Sequence, residues 1–283
     1  MRPLGALLGL LLLAAPSAAG AQAPVSLRLT YLTYARGFTT LKLVATLELS
    51  AAGYQVAIGY HTLGMVGFFF PGHDTAQAAG SWQAGKAAPL RFASEGAWGG
   101  RPFDVEITYP GGVPEVRRLV PTEARKRESV PAALRQQTID TVSAIALLLA
   151  RVADGEGCRL AVKVFDGRRL MTLDATQAGS QTLGATTRSF FHGTAERCDV
   201  TGRMLAGFLR SDGPAERKKV DHGAVWFAHP VPGLPVLPVR IAFSTQWFGT
   251  AMMYLTGIQT SPVMPTGPAR VAQSASPEGA ANQ

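Results

Sequence analysis

The chain has 283 residues, of which 47% are apolar and only 16% charged, with 31 glycines and 19 prolines. That composition supports a sizeable core with many turns and excludes wholesale disorder, and the length fits one large β domain, since barrels and sandwiches of roughly 200–250 residues are common as single domains. A formal charge of +8 suits anionic partners such as lipid headgroups or acidic glycans, or simply a solvated basic surface; nucleic acid is excluded as a leading partner because no reading module is present.

The N-terminus reads as a secretory signal peptide over residues 1–21. Arg2 supplies the positive n-region, Leu4 to Leu13 the apolar run, and Ala19-Gly20-Ala21 the small residues at a cleavage site. Cleavage is expected between Ala21 and Gln22; a cut after Ala23 would place Pro24 next to the scissile bond. The apolar stretch is short of the ~20 residues a bilayer span needs. The expected product is a soluble periplasmic chain with no transmembrane segment.

From Val25 the pattern has period two. Val25, Leu27, Leu29 and Tyr31 alternate with polar residues, as do Leu41 to Leu49 and Tyr54 to Tyr60, the signature of strands with one buried face. Gly64 to Phe70 carries three consecutive phenylalanines. It reads as a strand buried on both faces, or alternatively as an exposed aromatic tip or the wall of a ligand cavity. Further strands are expected at Pro89–Ala93, at Phe103–Tyr109 before the Pro110-Gly111-Gly112 turn, and at Val116–Val120. Thr122 to Ser129, with Arg125-Lys126-Arg127, reads as an exposed connection.

One segment breaks the β pattern. Asp140 to Ala153 reads as a helix with Asp140 as N-cap, and its apolar residues face almost every direction. A helix apolar all round is expected to be buried all round. Strands then resume, with Asp166-Gly167 as the hairpin turn between Leu160–Phe165 and Arg169–Leu173. More follow at 187–200, 205–209, 220–228, 239–245 and 250–256. The expected fold is mainly β: a curved antiparallel sheet or incomplete β-barrel wrapped around one buried hydrophobic helix, 140–153. Residues 22–258 form the single domain, and 259–283, rich in Ser, Pro, Ala and Gly, read as a disordered tail.

Chemistry-bearing motifs are sparse. There is no nucleophile elbow, zincin helix, phosphate-binding loop or calcium loop. His61, His73, His192, His222 and His229 show no metal-ligand spacing, so no catalytic residue, metal or cofactor is expected. Asp140 and Asp166 read as cap and turn residues, and Ser143 as a first-turn residue rather than a nucleophile. Cys158 and Cys198 are the only cysteines; in an oxidising compartment they are expected to form a disulfide, a free buried pair being the alternative.

Asp140-Thr141-Val142-Ser143 before the helix, Val164-Phe165-Asp166-Gly167-Arg168-Arg169, Arg197-Cys198-Asp199-Val200, Ala206-Gly207-Phe208 and Pro238-Val239-Arg240-Ile241, in that order and spacing, resemble the exported bacterial proteins grouped as the DUF3108 family. The resemblance spans about Leu29 to Thr256. The chain departs from the family at Thr141, where Pro is frequent, and at Leu170 and Met171, where an aromatic is frequent. The resemblance implies a periplasmic or cell-envelope protein of Gram-negative bacteria, mainly antiparallel β, and supplies no catalytic residue. The expected function is non-enzymatic: binding an apolar or amphiphilic ligand, or an envelope partner protein. Arg168 and Arg169 are candidate contacts for an anionic headgroup, or else solvated residues flanking a turn. A periplasmic hydrolase or glycan-modifying enzyme is the alternative.

Overall fold

The computed structural model describes residues 25–122, 126–245 and 249–262. The signal peptide, the Ala21–Gln22 junction and most of the expected tail lie outside the described residues. Two meanders make up one sheet. The first runs through β1 (Val25–Ala35), β2 (Phe38–Leu49), β3 (Gly53–Thr62), β4 (Gly72–Gln83), β5 (Lys86–Trp98), β6 (Arg101–Thr108) and β7 (Glu115–Val120). The second runs through β8 (Thr138–Ile139), β9 (Leu160–Phe165), β10 (Leu170–Leu183), β11 (Gly193–Ala206), β12 (Val220–Ala228), β13 (Leu237–Thr245) and β14 (Gly249–Pro262). Pairing of β1 with β14 joins them into 14 strands in the order β7-β6-β5-β4-β3-β2-β1-β14-β13-β12-β11-β10-β9-β8. All neighbours are antiparallel except β8 with β9. The helices are short: α1 (Gly64–Phe69), α2 (Ala132–Arg135), α3 (Thr141–Ala153) and α4 (Pro214–Arg217).

Alternation decides which face points inward. Leu27, Leu29, Tyr31, Thr33 and Ala35 of β1 are all buried, while the residues between them are at least half exposed or half-buried. The sheet does not close: β7 and β8 are its edges. Side chains cover the gap instead. Gly167, in the β9–β10 turn, lies on Val105, Ile107 and Leu119, and a Cβ there would stand 2.7 Å from Val105 Cγ1. Arg168 donates to the carbonyls of Val120 and Pro121 at 2.6 and 2.8 Å. An incomplete barrel results.

Five expectations need correction. Gly64–Phe69 is a helix, not a strand: the amides of Gly67 and Phe70 donate to Leu63 and Val66, and its phenylalanines are exposed. β4 was not expected, because its inward positions Ala76, Ala78 and Gly80 carry little of the apolar bulk by which strands are recognised. The strand expected at 205–209 is the end of β11, and β14 runs four residues into the expected tail, pairing with β1. Finally, α3 is not buried all round. Val142, Ala144, Ala146, Leu147 and Leu149 are buried, whereas Ile145, Leu148 and Val152 are half-buried and Thr141 and Ala153 exposed. The helix packs on β3, β4, β5 and β9, and its other side stays partly accessible.

Candidate binding site at one end of the barrel

Because adjacent strands alternate in direction, their connections segregate to two ends. The Arg36-Gly37 turn, the α1 connection, the Gly99-Gly100 turn and the paired residues Thr245 and Gly249 share one end, together with the β9–β10 turn and the β11–β12 connection. Val25 pairs with Pro262 at the other. Gln246, Trp247 and Phe248 of the β13–β14 link lie outside the described residues.

Local chemistry fixes the α1 connection. The Thr62 hydroxyl accepts from the Gly72 amide at 2.9 Å and donates to the Phe70 carbonyl at 3.2 Å, so one side chain ties the segment's exit to the end of β3. A Cβ at Gly67 would stand 2.9 Å from the Thr62 carbonyl, so only glycine permits this approach. Gly72 has a different task. The Trp98 indole lies directly against it, in the space a side chain would fill, and is thereby held at the rim. No side chain caps α1 and none of its residues is buried.

The outcome is an aromatic rim facing solvent. Phe68 is 81% exposed, Phe69 61% and Met65 63%, with Phe38, Phe70 and Trp98 also exposed. Phe68 and Phe69 stack edge to face at 5.0 Å. Isolated exposed apolar residues are ordinary; several at one end of the sheet make that end the candidate interaction surface. Of the two readings of the phenylalanine run, the exposed tip is the one observed.

Inside the rim lies a cavity of about 230 Å³, walled by Ala35, Leu41, Val66, Phe70, Trp98 and Phe243, among others. Its floor holds one orphan. Thr33 is 2% exposed and its Oγ1 has no hydrogen-bond partner. Leaving a buried hydroxyl unmet costs about 1–3 kcal/mol. On the inward positions one step along β4 and β5, Ser94 donates to Asp74 Oδ1 at 3.0 Å. Burial raises the Asp74 carboxyl above its ordinary range against the Ser94 hydrogen bond, and burial followed by the Asp74 charge raises Tyr60.

The opposite end is built otherwise. Asp140 accepts from the Ser143 amide at 2.8 Å, the Ser143 hydroxyl at 2.6 Å and the Tyr109 hydroxyl at 3.2 Å; Tyr54 in turn donates to Ser143 Oγ at 2.7 Å. Burial raises the Asp140 carboxyl even so. Asp140 and Ser143 are fully enclosed, so they serve as cap and anchor and meet no substrate. In the β9–β10 turn, which strand direction places toward the rim end, Asp166 accepts from the Arg168 and Arg169 amides and pairs with the Arg169 guanidinium at 2.7 Å. Arg168 and Arg169, the sequence's candidates for a headgroup, are thus engaged in turn and seam. Among the described residues no three His, Cys, Asp or Glu side chains gather, and no helix is long and apolar enough to cross a membrane.

Cys158 and Cys198 form a disulfide with Cα atoms 5.9 Å apart. A flat meander would not bring them so close: β9 and β11 are two strands apart, roughly 9–10 Å. Cys198 opposes Gln177 of β10, beside a register shift between Gln177 and Ser180, and the chain entering β9 folds across there.

Sequence reasoning found Phe68, Phe69 and Phe70 but not Phe38, Trp98 or Thr33. Trp98 carried a readable signal, a large aromatic immediately before Gly99-Gly100; Thr33 carried none, because its lack of a partner depends on strands far away in sequence.

A family model described as a protein of unknown function, DUF3108, matches residues 28–256. No curated protein matches the chain. Among solved structures, a β-barrel-like protein of the domain of unknown function DUF1849 from Brucella abortus superposes with a TM-score of 0.50 at 10% identity, covering 85% of this chain and 100% of that one. It supports the barrel-like fold and nothing finer. A protein provisionally assigned as a lipoprotein from Parabacteroides distasonis gives a TM-score of 0.32 at 9% identity, covering 84% and 96%.

Proposed function

This chain belongs to the DUF3108 family, proteins of unknown function, and we propose that it is a non-enzymatic protein of the bacterial periplasm that takes the apolar end of an amphiphile into the cavity at its aromatic rim. The observation that carries the proposal is the cavity itself, apolar in its walls, ringed by exposed Phe and Trp and floored by the unpartnered Thr33 hydroxyl. Its volume lies below the ~300–1,000 Å³ of pockets that enclose a whole drug-sized ligand. It therefore suits one end of a chain, with the polar remainder outside. In this reading α3 is the fixed plug around which the sheet curves, and α1 is the partial cover. Export accompanies the proposal: the tripartite N-terminus supports it, and a disulfide suits an oxidising compartment. Intact mass of protein taken from the periplasm should begin at Gln22.

Titration with saturated fatty acids of increasing length, in solution without vesicles, tests the cavity. Affinity should rise about fourfold per methylene, the equivalent of ~0.8 kcal/mol per buried CH₂, and then level off once the cavity is filled. Ala251→Phe, which fills the wall at a buried position, should abolish the dependence on length. Equal binding by all chain lengths, or by Ala251→Phe and wild type, would reject the reading.

A further inference from the structure

The rim carries a second feature: its charge. No Asp or Glu occurs in residues 34–44, 61–73, 96–103, 239–245 or 249–252, the described segments that carry the aromatics and line the cavity. The same segments hold Arg36, Lys42 and Arg101. The β9–β10 turn and the β11–β12 connection, which reach the same end, hold acids outnumbered by arginines and lysines. Arg36 sits in the β1–β2 turn and Arg101 opens β6 directly opposite Trp98; both are exposed, and neither forms an ion pair among the described residues. Acids on the strands that reach this end include Asp74, half-buried on an inward position, Glu95, exposed three residues before Trp98, and Asp221, exposed on β12 and paired with Lys219 at 3.1 Å. The described ends of the chain leave from the far end of the barrel, so neither terminus of the described fold obstructs the rim.

We propose that this end docks onto a membrane surface bearing anionic headgroups, with Phe68, Phe69 and Met65 entering the headgroup–acyl boundary while Arg36, Lys42 and Arg101 meet lipid phosphates. Exposed aromatics projecting from a short element with cations around them match the interfacial zone, which is apolar on one side and anionic on the other. The preceding proposal concerns the ligand; this one names the surface from which it is drawn, and rests on that reading. A membrane is favoured over a protein partner by the charge pattern, because protein interfaces deplete charged residues at their core, whereas the segments that carry these aromatics hold cations and no acid, and cations outnumber acids in the other connections at this end.

Flotation of the purified chain with vesicles of phosphatidylethanolamine and 30% phosphatidylglycerol, compared with pure phosphatidylcholine, tests the proposal. Binding is expected to the anionic vesicles, weakening as salt shortens the screening length. Arg36→Glu with Arg101→Glu should lower partitioning by at least about fivefold per arginine. Phe68→Ser with Phe69→Ser should lower it at least tenfold and leave the melting temperature unchanged, since both side chains are exposed. Equal partitioning of the phenylalanine variant and wild type would overturn the proposal, as would equal binding to neutral and anionic vesicles. So would absence of vesicle binding together with a dimer, seen by light scattering, that the phenylalanine variant dissociates; the rim would then join two copies. Fatty-acid binding separates the two proposals. Phe68 and Phe69 do not line the cavity, so their variant should bind short fatty acids like wild type, while Ala251→Phe should bind vesicles like wild type.

Discussion

The two ends of the barrel are covered by helices of opposite character. At one end lies α3, 13 residues long, capped by Asp140 and fastened by hydroxyls from Tyr109 and Tyr54 of β3 and the β6 exit. At the other lies α1, six residues, uncapped by any side chain, with no residue buried. Each polar group of the Asp140 cluster has a partner, whereas the Thr33 hydroxyl beneath α1 has none. The comparison separates stability from binding. An end whose cap cluster is fully partnered and whose helix buries most of its apolar surface has little left to offer a ligand; an end that leaves aromatics in water and a hydroxyl unmet forgoes stability that a ligand can restore.

The sharpest way to break this comparison is to attack the plug. Leu147 is buried and Leu148, one position on, is half-buried. Leu147→Asp should prevent folding, because it would place an unpaired charge in the core. Leu147→Ala should cost about 2–5 kcal/mol, and Leu148→Ala clearly less. Urea melts that rank them in reverse would mean α3 presents the other face to the sheet.

Next in size is the disulfide. Its loop spans a separation of 40 residues, for which chain entropy gives about 3–4 kcal/mol. Cys158→Ser with Cys198→Ser should lose up to that amount in denaturant melts. The loss belongs to the second meander, so fatty-acid binding at the rim, built mainly from the first, should persist in the fraction that stays folded. Loss of binding without loss of stability would place the disulfide in the binding machinery.

How much of this was legible differs between the two ends in the same way. Asp140 followed three residues later by Ser143, then a long apolar run, announces a capped helix through local geometry alone. Alternation in β1 and β2 is equally local. The rim depends on what is missing. Gly64 to Phe70 has the composition of a core strand, and it is a surface because, among the described residues, no element packs over it. The cavity joins Thr33, Thr62, Trp98, Phe243 and Ala251, residues on strands far apart in the sequence, and no pattern along the chain reports that meeting. β4 was hidden because its inward alanines and glycine leave room rather than fill it.

The Asp140 cluster yields a prediction with a pH signature. Burial raises the folded-state pKa above the unfolded value of ~3.9. The contribution of this group to stability is then fully present below the unfolded pKa and is lost as pH rises through the folded one. Asp140→Asn retains the acceptor for the Ser143 amide, and its NH₂ can donate to the two hydroxyls, which can reverse direction. It should match or exceed wild type at pH 7, and its advantage should shrink as pH falls toward 4. Asp140→Ala removes the acceptor for the Ser143 amide and two hydroxyls, and should cost about 1–3 kcal/mol, with the larger loss at low pH, where the wild-type group contributes most. Melts from pH 4 to 7 on both variants check this; an Asn variant as unstable as the Ala variant at pH 7 would show that the carboxylate charge itself holds the helix.

The smallest effect is the most diagnostic of the difference between the ends. Thr33→Val keeps the shape of a buried side chain while replacing the hydroxyl that no group satisfies. At a partnered hydroxyl, such as Ser143, removal destabilises; at Thr33 it should stabilise, by up to about 1 kcal/mol, because it abolishes an unmet donor and acceptor. If the hydroxyl serves the ligand, the same substitution weakens binding of a molecule with a polar atom near the end of its chain, such as an ω-hydroxy fatty acid, and leaves a plain fatty acid unaffected. A stabilised variant that binds both equally well would leave the hydroxyl as a packing defect of the open end, and the polar preference of the cavity would have to be abandoned. A destabilised variant would mean that Thr33 is satisfied in solution, and the contrast between the two ends would rest on the exposed aromatics alone.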